Sequence, residues 1–416
     1  MNSRPRLDRT LGTRDAVVVG LGAMLGAGVF TALAPAAGAA GSGVVLALAL
    51  AALVAYCNAT ASARLAARYP DSGGTYVYGT LRLGPFWGYL AGWGFVVGKI
   101  ASCAAMALTV VTYAVPGLAQ PWRGLVAAGV VVTFTALNYA GVRKSALTTR
   151  VLVVFTLAVL GLVVLAVAVG GHADLARATP AAGLDPLGVV EAAGLLFFAF
   201  AGYARIATLG EEVRDPQRTI PRAVRTALAV VLAVYLLVTV AALAQLGPSA
   251  LAANPDPLAH VVETTSWSAL APALRVGAVV AAAGSLLALL LGISRTVLAM
   301  SRDGHFPATL TAVHPRFGVP HHAELAVGAV VAVLAATADL RGVIGFSSFA
   351  VLIYYAVANA SAWTLRTRRL VPAVGLAGCT VLAAGLPSSS IVVGTAVLTL
   401  GVLFYGVRAA LVKKRR

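Results

Sequence analysis

Charged side chains are scarce in this sequence. Asp, Glu, Lys and Arg together make up 11% of its 416 residues, less than half of the roughly 25% usual in soluble globular domains. That shortage excludes an ordinary soluble fold. Acids are the rarest class, 14 against 31 Lys and Arg. Cysteine is also nearly missing, and Cys57, Cys103 and Cys379 all fall inside apolar runs. They read as small core residues, which argues against a disulfide framework or a metal set. Long polar stretches are missing as well. The widest gap between apolar runs, residues 245 to 272, is shorter than the roughly 50 residues of a small domain. No separate catalytic domain is therefore expected.

Apolar residues account for 60% of the chain, about 250 positions, and about 20 are needed per membrane crossing, which gives about twelve helical spans. They can be placed at 15–38, 43–66, 85–116, 122–141, 146–170, 187–212, 221–246, 273–299, 322–339, 342–365, 370–387 and 390–410. The arginine-rich N-terminus followed by an apolar run resembles a signal peptide, but the run lacks a small-residue cleavage site and reads as the first span.

The net charge of +17 raises the possibility of nucleic acid. The positions of the cations argue for membrane topology instead. Twenty-five of the 31 fall in segments on one side, and only Arg123, Arg177, Arg275 and Arg341 fall on the other. By the positive-inside rule both termini are expected in the cytoplasm. Lys99 and Arg205 remain within spans. Only 4 of the 31 cations are lysine, which with the abundant alanine points to a GC-rich bacterial gene and a cell-membrane location.

The first span carries Gly20, Gly22, Gly26 and Gly28, a density that weakens a helix. It is not a nucleotide-binding loop, since no acid follows Asp15 until Asp71. Close helix packing through small residues is one reading; a broken helix facing a solute is the other. The sixth span is interrupted by Gly202 in Phe197-Phe-Ala-Phe-Ala-Gly-Tyr203. Breaks in the first and sixth spans point to two inverted repeats with a midplane site. Backbone freed at such breaks is tolerable only where it lines a cavity or meets a solute. Half-helix N-termini attract a carboxylate and free carbonyls attract an ammonium, so a zwitterionic amino acid fits.

Four runs then resemble those of the amino acid-polyamine-organocation (APC) superfamily of permeases: Gly22 to Phe30, Arg68 to Tyr78, Phe198 to Tyr203 continuing through Glu211 to Arg222, and Ser294 to Gly304. The resemblance covers nearly the whole chain. It implies an all-α membrane protein of twelve transmembrane helices in a single domain, residues 1–416. Repeat one would span about 14–170, repeat two about 187–365, and two further helices about 370–410. It also implies alternating access and secondary transport of amino acids, with no enzymatic activity and no cofactor. Transport is expected by proton symport or by exchange, and the expected partners are the small-molecule amino acid substrate, membrane lipid and, for symport, protons. By the same resemblance Gly26, Ala27 and Gly28 would offer amides to the substrate carboxylate, with Val29 beside them in the substrate site. Phe200, Ala201 and Gly202 would offer carbonyls to its amino group, and Phe200 or Tyr203 would close as a gate.

The chain departs from relatives at three places. Arg64 stands where many have glutamate, Val159 where some proton-coupled ones have lysine, and Ala204 where some cationic-substrate ones have an acid. Lys99, in the third span, is read as coupling or substrate-adjacent, or else structurally paired. For Arg205 the alternative is snorkelling to the surface and pairing with Glu211 or Glu212. Glu191, near the outer end of the sixth segment, is taken as the only acid within the membrane, with Glu211 and Glu212 at that segment's inner end. Neutral amino acids are therefore the expected substrates. The alternatives are a carrier of anionic or other organic amines, and a membrane sensor or accessory protein with a transporter fold. His321-His322 reads as solvated, not metal-binding. No Walker A loop is present, so the chain is not itself an ATP-driven pump.

Overall fold

The computed structural model describes residues 11–70, 73–141, 146–180 and 183–414, and every regular element among them is helical. The first apolar segment is three helices, α1 (Thr13–Met24), α2 (Ala27–Thr31) and α3 (Leu33–Ala40), followed by α4 (Val44–Arg68), α5 (Thr75–Leu83), α6 (Pro85–Ala114), α7 (Trp122–Tyr139) and α8 (Ala146–Gly170). Next come α9 (Pro186–Phe200) and α10 (Ala204–Ala207), joined by the 3₁₀ turn Ala201–Tyr203. The rest of the chain forms α11 (Pro216–Ala253), α12 (Pro257–Glu263), α13 (Ala271–Arg302), α14 (His321–Thr337), α15 (Leu340–Trp363), α16 (Leu370–Ala384) and α17 (Ser388–Lys414). Nine helical stretches among the described residues are long and apolar enough to cross a membrane, and α14 and α16 are shorter apolar helices.

Local sequence explains the starts. Pro85, Pro186 and Pro216 stand in the first turns of α6, α9 and α11, where the missing N–H costs nothing. Asp185 accepts from the amides of Leu187 and Gly188, both at 3.0 Å, and caps α9; Asp339 caps α15 through Gly342. One expected start moves. The span placed at 221–246 is expected to start at Pro221, whereas α11 begins at Pro216, with Asp215 in the left-handed region (φ 47°) and the Thr219 hydroxyl bonded to the Arg214 carbonyl. At its other end α11 bends at Gly247, whose φ of 76° is outside the helical range.

The buried α6 lies at the centre against α13 and α15. Small residues allow the approach: a side chain at Gly98 would meet Ala350 and Val351 at 3.0 Å. Cys57, Cys103 and Cys379 are buried and unpaired, as the sequence suggests. Both described ends of the chain lie at one end of the bundle. Leu11 pairs with Val213 there, and Arg408 donates to the Asp303 carbonyl. The Tyr78 and Tyr76 hydroxyls of α5 reach the Ala207 carbonyl (3.3 Å) and the Asp303 carboxylate (2.6 Å), joining these two places.

Candidate functional site

The first helix is truly broken. Leu25 (φ −78°, ψ 53°) and Gly26 (φ −106°, ψ −142°) leave the helical region. The first amides of α2, at Ala27, Gly28 and Val29, consequently have no intrahelical acceptor. All four residues from Gly26 to Val29 are buried. The sixth segment is interrupted differently. It tightens into the 3₁₀ turn Ala201–Tyr203 without becoming extended, a deformation often found at hinges.

The two interruptions touch. A Cβ on Gly28 would sit 2.5 Å from the Ala199 Cα, and one on Gly202 would sit 2.1 Å from the Ala23 carbonyl oxygen. Glycine at both places lets backbone meet backbone. The Tyr235 hydroxyl, from α11, reaches the Met24 carbonyl at 2.7 Å and the Ala199 carbonyl at 3.2 Å, bridging both breaks. Phe200 lies edge-on to the Tyr235 ring at 5.3 Å, and Tyr203 stacks on Tyr355 at 4.9 Å. On the other side, a Cβ at Gly26 would meet the Ser285 hydroxyl of α13 at 2.5 Å.

Lys99 enters this junction from α6. It is only 7% exposed, and its ammonium donates to the Ala201 carbonyl at 3.3 Å. Tyr355 donates to the same oxygen at 3.2 Å. The two donors together match the two lone pairs of a carbonyl. The Gly202 carbonyl accepts from the Ala204 amide. An ammonium has three donors, so Lys99 keeps two beyond its bond to Ala201. Arg205 is placed differently: it is exposed and bonds to Thr208 in its own turn. Val159 is buried and packs on Gly277 of α13.

A cleft of about 330 Å³ opens at the end of the bundle opposite the chain ends. Thr31, Ala34, Leu108 and Thr112 line it, with Arg123, Asn254, Asp339 and Arg341 among the polar residues. Thr31 is one turn beyond Gly28, so the cleft approaches the break along α2 and α3. At the end with both chain ends the described residues pack closely: in addition to the α5 contacts, Pro70 lies so near Gly210 that a Cβ there would sit 2.7 Å from its carbonyl.

Several residues of this region are missed by the sequence reading. Tyr235 and Tyr355 are lost among apolar neighbours, where an aromatic ring carries no periodic signal. One acid is also misplaced. Glu191 is not the only acid in a span, because Glu324, in the first turn of α14, is 1% exposed. Its position two residues inside an apolar run looks like a solvated helix end, but α7 and α13 cover it. Glu191 itself is ion-paired with Arg341.

The comparisons with known proteins agree with this architecture. The family model described as amino acid permease matches residues 11–412. The chain belongs to the amino acid permease family, and it is a transporter, not an enzyme. An uncharacterized transporter of Mycobacterium tuberculosis is 63% identical over 415 residues, covering 99% of this chain and 93% of that protein. A methylthioribose transporter of Bacillus subtilis is 28% identical over 382 residues, with 87% and 82% covered. The branched-chain amino acid permease BcaP of the same organism is 29% identical over 357 residues, with 80% and 76% covered.

Proposed function

We propose that this chain is a secondary active transporter of neutral amino acids, working by alternating access about the contact between the α1–α2 and α9–α10 breaks. The observation that carries the reading is that contact, with unpaired α2 amides and the Lys99 ammonium beside it and a cleft leading toward it. The α2 amides and the two remaining donors of Lys99 suit a carboxylate. With the Ala201 carbonyl occupied, the substrate amino group is left to other acceptors near the break. The branched-chain specificity in the name of BcaP is in keeping with a neutral substrate. The same Lys99 donors favour, as second reading, an amino acid of net negative charge.

Twelve spans in two inverted five-helix repeats, with α16 and α17 outside them, is the architecture that fits. The first segment packs on α11 as the sixth packs on α4, and α6 pairs with α13 as α7 pairs with α14, which is the pattern a pseudo-two-fold axis in the membrane plane produces. The cation distribution supports cytoplasmic termini, and with that orientation the cleft is an outward vestibule.

Reconstitution into liposomes with a labelled panel of neutral, acidic and basic amino acids, with and without an inward proton gradient, tests this. Neutral amino acids are expected to enter. Uptake of none of the panel removes the proposal, and uptake of acidic ones alone selects the second reading. Lys99→Met is expected to weaken substrate binding about tenfold, about 1.4 kcal/mol; unchanged affinity would make Lys99 a structural residue.

A further inference from the structure

Glu324 is used by nothing described so far, yet its surroundings are built for a specific task. Its carboxyl lies where α14 meets α7 and α13. The Asn138 side-chain amide donates to Oε1 at 2.9 Å and to the Leu287 carbonyl at 3.1 Å, spending both of its hydrogens. Oε2 is bonded to the Ser294 hydroxyl, which also lies 3.1 Å from the Leu291 carbonyl.

A serine hydroxyl has one hydrogen and here two acceptors in reach. When the carboxylate is ionised, Ser294 donates to it. When the carboxyl holds a proton, its O–H donates to Ser294 Oγ, and the serine hydrogen turns to the Leu291 carbonyl. Both protonation states are thus hydrogen-bonded without moving the backbone, which a purely structural carboxylate does not require.

The other groups around it agree. From α13, exposed Arg295 lends positive charge. From α6, which packs on α14, come the buried ionisable groups Cys103 and Lys99. From α7, Tyr139 faces the His314 and His321 rings at 5.5 and 6.1 Å. The 308–311 turn supplies no ionisable group, only the Thr309 carbonyl that takes His322. His321 is one turn before Glu324 on α14, and its buried Nδ1 has no partner among the described residues. It stands between Glu324 and the end of the bundle that carries both chain ends.

We propose that Glu324 is a proton-binding site, loaded and emptied through His321, and that this proton is exchanged in step with transport. One proton adds to the carboxylate from water at that end and one returns there on release, with no other bond made or broken. The second half of the proposal rests on the transport reading, and the experiment separates the two.

Infrared difference spectra of the full-length protein in liposomes are expected to show a protonated-carboxyl C=O band that disappears as the pH is raised. Glu324→Gln, isosteric and able to keep both hydrogen bonds, should lack the band. Ser294→Ala, which alters no charge, should move its midpoint by about one pH unit or more. With the panel amino acid taken up best by the wild type, Glu324→Gln should lose proton-gradient stimulation about tenfold or more and keep substrate exchange. A band unchanged in both variants, or stimulation intact in Glu324→Gln, overturns the proposal. If the wild type transports no amino acid, the transport reading falls, and the infrared band alone decides whether Glu324 binds the proton.

Discussion

Gly28 and Gly161 show how differently one residue type acts in this chain. Nothing lies within 4 Å of a Cβ built on Gly161, whereas one on Gly28 meets the Ala199 backbone, which cannot turn aside as a side chain would. Gly28→Ala is therefore expected to push the two broken helices apart, at a cost at least that of overpacking a core, about 1–3 kcal/mol. Thermal unfolding in detergent should show a fall of several degrees and uptake should drop below about a tenth of wild type, while Gly161→Ala changes neither. A Gly28→Ala protein with wild-type stability and uptake would contradict the contact. The glycines could be singled out from sequence because they are costly within a helix. Lys99 could be too, as a charge inside an apolar run. Glu324 was obscured by its place near a segment end, and its partners Asn138 and Ser294 come from helices distant in sequence.

At the scale of elements, α12 shows how a short helix between spans is held. Arg275, near the start of α13, donates to Asp256 at 2.7 Å and to Glu263 at 2.8 Å, and His260 faces Glu263 at 3.3 Å. Burial pushes the Glu263 carboxyl up, but the hydrogen bonds and charges of Arg275 and His260 outweigh it and hold the group below the ordinary glutamate value. A carboxyl depressed in the folded state adds stability above its unfolded pKa, and that stability is lost as the pH falls through the folded one. Glu263→Gln should thus lower the melting temperature at pH 7, through an effect of about 1 kcal/mol or less because the site is partly exposed. The gap should close below about pH 4, which melting curves at the two pH values would detect. A gap that persists in acid would show that the pair is not responsible. Helix existence was legible here from hydropathy, whereas α5 and α12 were not, because short amphipathic or capped helices between spans have no apolar run to announce them.

For the whole molecule, the cleft at one end and the close packing of the described residues at the other define an asymmetry that labelling can test. The three native cysteines are buried, so the wild type should react little with a membrane-impermeant maleimide. Asn254→Cys, in the cleft, should react in intact cells, and Arg316→Cys, at the opposite end, only after permeabilisation. The reverse pattern would invert the orientation. The sequence by itself determined the membrane class, the apolar helical segments and the positions of both breaks, because each is a property of consecutive residues: hydropathy and glycine cost. Only the tertiary structure decided that the breaks touch, that Lys99 and Tyr355 share the Ala201 carbonyl, and that Glu324 is covered. Those are contacts between helices far apart in sequence, and burial depends on which helix lies opposite, information that no local pattern of residues contains.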